Sequence, residues 1–197
     1  MTRVYGLLEL GTVVEPRFCF IDQLPKGSGL DNVDAANPSR GEPAAHVYPA
    51  DAHVVMSSRF GGMELPDFVG NTRGLLIVHR RVRDVIERVN RGEQEFLPLT
   101  IHNHKRRVAS SEYFVANPLG THDVLDLEAS DIEWDDGDVV HVNQMVLDPA
   151  KVKKAPDLFR PNEDPRSYII SKRIATEIIK FSPPYTNLNY AEIFELE

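Results

Sequence analysis

Two segments of this chain follow the same plan, and together they limit the folds open to it. Residues 75–90 read LLIVHRRVRDVIERVN and residues 168–181 read YIISKRIATEIIKF. At an offset of 92 residues, Ile170-Ser171-Lys172-Arg173-Ile174 falls on Val78-His79-Arg80-Arg81-Val82, and Ile178 falls on Ile86. Taken alone, residues 75–90 also fit one continuous helix with Leu75, Val78, Val82, Val85 and Val89 on one face. The parallel with the second segment favours a short buried strand, a cap, and then an amphipathic helix. The spacing therefore predicts helices over about 80–91 and 172–181. Gly92 follows the first as a stop signal, and Pro183-Pro184 ends the second. Ser171 is expected to cap its helix by accepting from an orphan amide. Arg80–Asp84, Arg83–Glu87, Asp84–Arg88 and Glu87–Arg91 are spaced for i,i+4 pairing on a solvated face.

Little else in the chain has a helical period. Val4–Leu8, Arg17–Ile21, Phe96–His104, Glu112–Ala116 and Val139–Leu147 read as strands, and Val124–Leu127 is short and alternating. The basic turn Lys105-Arg106-Arg107 separates two of these strands. Helices and strands mix without regular βαβ alternation, so the expected fold class is α+β with a largely antiparallel sheet. Residues 23–51 are rich in Gly, Pro, Ser, Asn and Asp and predict a long loop or insertion. The 197 residues suit a single domain, 1–197.

Charge is distributed unevenly. Residues 108–150 hold ten carboxylates and no Lys or Arg, whereas residues 73–107 hold nine bases and four acids. The net charge of −8 argues against a general phosphate-backbone binder, and so against a nucleic-acid partner. Cys19, the single cysteine, lies between Phe18 and Phe20 and reads as a buried structural thiol, fitting a reducing compartment. Glu9 interrupts the apolar run of the N-terminus, and no run approaches the roughly 18 apolar residues of a membrane span. The expected location is the cytoplasm.

The chain carries little recognisable catalytic chemistry. His102 and His104 stand two apart on an expected strand, so both point to one face as a candidate metal pair. A catalytic zinc wants a third protein ligand, and only residue type recommends His122 or His141. A metal-dependent hydrolase using His102 and His104 is the alternative enzymatic reading. Asp131–Asp138 superficially resembles a calcium loop, but Asp136 and Val142 stand where an EF-hand needs Gly and Glu. No nucleophile elbow, phosphate loop or dinucleotide fingerprint occurs. No catalytic residue, metal ligand set or cofactor is assigned.

Trp134, the only tryptophan, stands among Asp131, Glu133, Asp135, Asp136 and Asp138. Tryptophan anchors interfaces, and carboxylates supply charge complementarity. Asp123, Asp126, Glu128, Asp131, Glu133, Trp134, Asp135, Asp136 and Asp138 are the candidate contact residues for a basic protein partner. An ordinary solvated turn, with Trp134 turned into the core, is the competing reading. An acidic adaptor for some other basic protein would use the same surface.

A succession of short blocks then carries a resemblance. These are Asn71-x-Arg73 with Leu76-Ile77-Val78, Tyr113-Phe114-Val115-Ala116-Asn117, and Val124-Leu125-Asp126 with Ser130. Leu158-Phe159-Arg160 and Ile169-Ile170-Ser171 complete the set. In order and spacing they resemble bacterial polymorphic-toxin immunity proteins, over roughly residues 65–195. The resemblance implies a protein that binds and neutralises the toxin domain of a cognate secreted effector. It supplies no catalytic residue. Many such toxins are nucleases with a basic cleft, where carboxylates can stand in for phosphates. Residues 23–51 lie outside these blocks.

Overall fold

A computed structural model describes residues 5–24 and 37–195. Its two principal helices stand where the periodicity places them. Strand β1 (Tyr5–Leu8) and strand β2 (Phe20–Ile21) open the chain, followed by β3 (His53–Val55) and β4 (Phe68–Asn71). The first strand–helix unit is β5 (Ile77–His79) running into α1 (Arg80–Val89). A long hairpin follows, β6 (Gln94–His102) and β7 (Val108–Pro118). Next come β8 (Asp131–Asp135), β9 (Asp138–Gln144), β10 (Val146–Leu147) and a short α2 (Pro149–Val152). After β11 (Leu158–Phe159), β12 (Ile169–Ser171) runs into α3 (Lys172–Ile179), and β13 (Tyr190–Glu195) follows.

The strands form a five-stranded sheet, β10-β13-β1-β12-β11, a six-stranded sheet, β2-β4-β5-β7-β6-β3, and a separate two-stranded sheet, β8-β9. Pairing is antiparallel except for β10/β13, β2/β4 and β3/β6. The α+β class and the largely antiparallel pairing are as expected. The short α2 was not expected. Asp148 starts it by accepting from the amides of Ala150 and Lys151.

The equivalent strand–helix units meet in space. Tyr168 and Leu76 are related by the offset of 92, and the Leu76 amide donates to the Tyr168 hydroxyl at 3.3 Å. One apolar cluster joins both helices to both large sheets. It contains Val82, Val85, Ile86 and Val89 of α1 and Ile174 and Ile178 of α3, with Leu8 and Ile170 from one sheet and Phe68 and Val78 from the other. A second cluster backs the six-stranded sheet through Ile21, Val54, Leu97, Ile101 and Val115. A third backs the five-stranded sheet through Tyr5, Leu125, Leu147, Phe159 and Ile193. Cys19 lies in the second cluster, where burial pushes its thiol up to about 12.

Two local expectations are corrected. Ser171 occupies the cap position of α3, but its hydroxyl donates to the buried Asp157 carboxylate at 2.7 Å and does not cap the helix. Asp157 also receives Arg173, so the hydroxyl serves a buried anion. On α1, Arg83–Glu87 forms as spaced, whereas Arg80 reaches Glu112 and Arg88 reaches Glu177 of α3. These arginines face neighbouring elements, which draws them from their helix partners. Asp67, also buried, receives Arg81 of α1 and the amide and hydroxyl of Thr186, tying the segment after α3 to the first helix.

Part of the long loop, 25–36, falls outside the described residues. The rest is built into the scaffold. Pro38–Arg40 forms a 3-10 turn capped by Asn37. The Glu95 carboxylate accepts from the amides of Ala44 and Ala45, and Asn117 donates to the Glu42 carbonyl at 2.9 Å.

Candidate functional site

The acidic residues around Trp134 lie on a β-hairpin, not on an irregular turn. Strand β8 pairs antiparallel with β9, Ile132 opposite Val142 and Trp134 opposite Val139. Asp136 and Gly137 connect the strands, both with positive φ, 49° and 91°. That backbone matches the right-handed twist of a two-residue hairpin, and it explains why Asp-Gly stands there. The dipeptide was the legible signal for this hairpin.

Alternation along β8 puts Asp131, Glu133 and Asp135 on one face and Ile132 and Trp134 on the other. Ile132 is half-buried against the third core cluster and anchors the near end of the hairpin. Further out, the apolar face loses its cover. Trp134 is 51% exposed, so it does not belong to the core, and Val140, at a bulge in β9, is 63% exposed. Asp135 stands opposite Asp138 at the turn.

The base of the hairpin is clamped by residues from the quoted blocks. The Asp126 carboxylate accepts from the amides of Glu128 and Ala129, each at 3.0 Å. Its amide donates to the Val146 carbonyl, and the Ser130 hydroxyl accepts from the Val146 amide at 3.0 Å. Asp126 thus positions the hairpin, with its carboxylate engaged locally. Asp123 is paired with Lys151 at 2.8 Å. Glu128, Asp131, Glu133, Asp135, Asp136 and Asp138 make no ion pair among the described residues. Glu133 accepts from Asn143 across the hairpin, at 3.0 Å. The nine candidates therefore divide. Glu128 and the hairpin residues present carboxylates that no cation pairs with among the described residues, beside an exposed indole, while Asp123 and Asp126 are already committed.

The histidine pair lies elsewhere. His102 ends β6, and His104 sits beyond the strand, where its Nε2 is 2.9 Å from the Ser57 carbonyl. The expected strand through residue 104 is therefore two residues too long. Both histidines line a cleft of about 800 Å³ with Asp22, Arg59, Arg106 and His53, which the sequence reading missed. The His53 and His102 rings stack at 4.9 Å because β3 and β6 are parallel neighbours. Burial, then the charge of His53, lowers the His102 pKa. No group of three His, Cys, Asp or Glu side chains among the described residues is placed to hold a metal ion.

The other quoted blocks are scaffold. Asn71 shapes the turn before β5, its side chain donating to the Leu75 carbonyl and accepting from the amides of Arg73 and Leu75. Leu76, Ile77, Val78, Val115, Phe159 and Ile169 are buried. Arg160 is completely buried and holds four backbone carbonyls. These blocks form the framework that holds the rest of the chain in place.

Comparison with known families agrees with that framework. The model of the Immunity protein family (Imm11) matches residues 25–193, a wider span than the quoted blocks, taking in most of the long loop. The chain belongs to this immunity protein family. No curated protein matches it. No helix among the described residues is long and apolar enough to cross a membrane.

Proposed function

We propose that this immunity protein neutralises a cognate toxin by binding it through the acidic β8–β9 hairpin. The observation that carries the reading is the exposed Trp134 at the centre of carboxylates that no cation of the described chain engages. An aromatic anchor beside unpaired like charges suits a basic protein surface. The toxin is then a domain with a basic cleft, a nuclease being the class that needs one. Asp131, Glu133, Asp135, Asp136 and Asp138 steer it, and Trp134 anchors it. Glu128 adds charge nearby, and Asp123 and Asp126 hold the surrounding structure. Interception takes place in the cytoplasm of the producing cell, with the protein acting as an inhibitor and not as an enzyme.

The test uses the C-terminal domain of the product of the neighbouring gene. A complex should form, and co-expression should restore growth. Trp134→Ala should leave folding intact and raise the dissociation rate by about thirtyfold, the effect of a hot-spot loss near 2 kcal/mol. Surface plasmon resonance reads that rate. An unchanged rate would remove Trp134 from the interface, and a toxin with an acidic binding face would overturn the charge argument.

A further inference from the structure

We infer that the toxin domain docks by adding a basic strand to an open edge of the β8–β9 hairpin. This rests on the reading of the hairpin as the contact surface, and it names how the partner is recognised. Every other strand named above belongs to a sheet of five or six, whereas among the described residues β8 and β9 pair only with each other. Among the described residues, no backbone group of 131–144 forms a hydrogen bond outside the hairpin. Both outer edges therefore present unpaired amides and carbonyls, a template for another strand. A two-stranded hairpin is marginal by itself in water, so a third strand adds order as well as contact.

The charges select the occupant. Asp131, Glu133 and Asp135 line β8, and Asp136 and Asp138 surround the turn. Pairing the β8 edge with that of a second copy would set like charges opposite one another, which is unfavourable. A strand bearing Lys or Arg meets opposite charge at the same positions. Strand addition draws affinity from main-chain bonds and specificity from alternate side chains. Here those side chains meet carboxylates on one face and Trp134 on the other.

Amide hydrogen exchange tests this on the full chain, free and bound to the C-terminal domain encoded by the neighbouring gene. Alternate amides along one strand of 131–144 should slow by at least about tenfold in the complex, since an added ladder protects every second amide. A complex that leaves these rates unchanged overturns strand addition while the immunity reading stands. Slowing that instead grows with the concentration of this chain alone assigns the edge to a second copy and also overturns it. Failure of any complex to form overturns both readings.

Discussion

Replacing Arg160 with leucine is expected to lower the stability of this protein by about 3 kcal/mol or more, the range for leaving several buried polar groups unpaired. The guanidinium is fully buried and lies 3.9 Å over the Tyr168 ring. Its Nη1 donates to the carbonyls of Ser39 at 2.7 Å and Pro165 at 2.6 Å. Nη2 donates to the Pro38 carbonyl at 2.7 Å, and Nε to that of Pro118 at 3.2 Å. The side chain thus joins the long loop, the end of β7 and the segment before β12. No carboxylate forms an ion pair with it among the described residues. Burial pushes its pKa down, and Tyr168 and Asp164 offset part of that. Leucine would fill much of the volume but leave four carbonyls without donors. Arg160→Lys should fall between, because an ammonium keeps the charge but lacks the planar fork. Urea unfolding measures both, as a lower midpoint at constant slope. A loss below about 0.5 kcal/mol, the usual size of a surface substitution, would show that water or relaxation replaces these bonds.

Arg160 also marks where the sequence was hard to read. An arginine in a polar stretch reads as surface, since arginine is seldom buried. Its burial depends on carbonyls from residues 38, 39, 118 and 165, which no local pattern connects. The two principal helices were legible because each keeps an apolar stripe and a stop signal after it, Gly92 in one case and Pro183-Pro184 in the other. The β6–β7 hairpin was legible from two apolar runs around a basic turn. The two large sheets were not. β1 pairs with β12 and β13, so residues near 5 meet residues near 170 and 193. That pairing buries the short apolar strands β1 and β12 together with Ile193 of β13, and local sequence does not encode the partner. β9 was legible within the expected strand Val139–Leu147, but its partner β8 was hidden by its carboxylates, which disfavour strands. Asp136-Gly137 and the alternation of Ile132 and Trp134 were the counter-signals. The acidic cluster was legible as composition, while its division into free and committed carboxylates required the hydrogen bonds.

Reversing the charge at Asp131, Glu133, Asp135, Asp136 and Asp138 is expected to slow association with the toxin domain by about a hundredfold at low salt. Electrostatic steering raises association rates by factors of 10 to 1,000, and these five carboxylates are exposed and without cation partners among the described residues. They surround the exposed indole, so reversal puts like charge against a basic cleft at the point of first contact. The salt dependence should flatten or invert, because screening would then weaken a repulsion. Stability should change little, since none of the five is buried. Stopped-flow association rates across a salt series check this. An unchanged rate with unchanged salt slope would place the contact elsewhere, with the 23–51 segment the next candidate.

The hairpin can also be removed without touching its clamp. Replacing residues 133–141 by Asn-Gly keeps Ile132 opposite Val142 and retains Asp126, Ser130 and Val146 at the base. The shortened chain should unfold cooperatively near the wild-type temperature, because Ile132 still packs on the third cluster. Growth of cells co-expressing it with the toxin from the neighbouring gene is the decisive readout. This folded, hairpin-less protein is expected not to restore growth, whereas the intact chain does. Full protection by the shortened protein would show that the hairpin is not the toxin-binding surface.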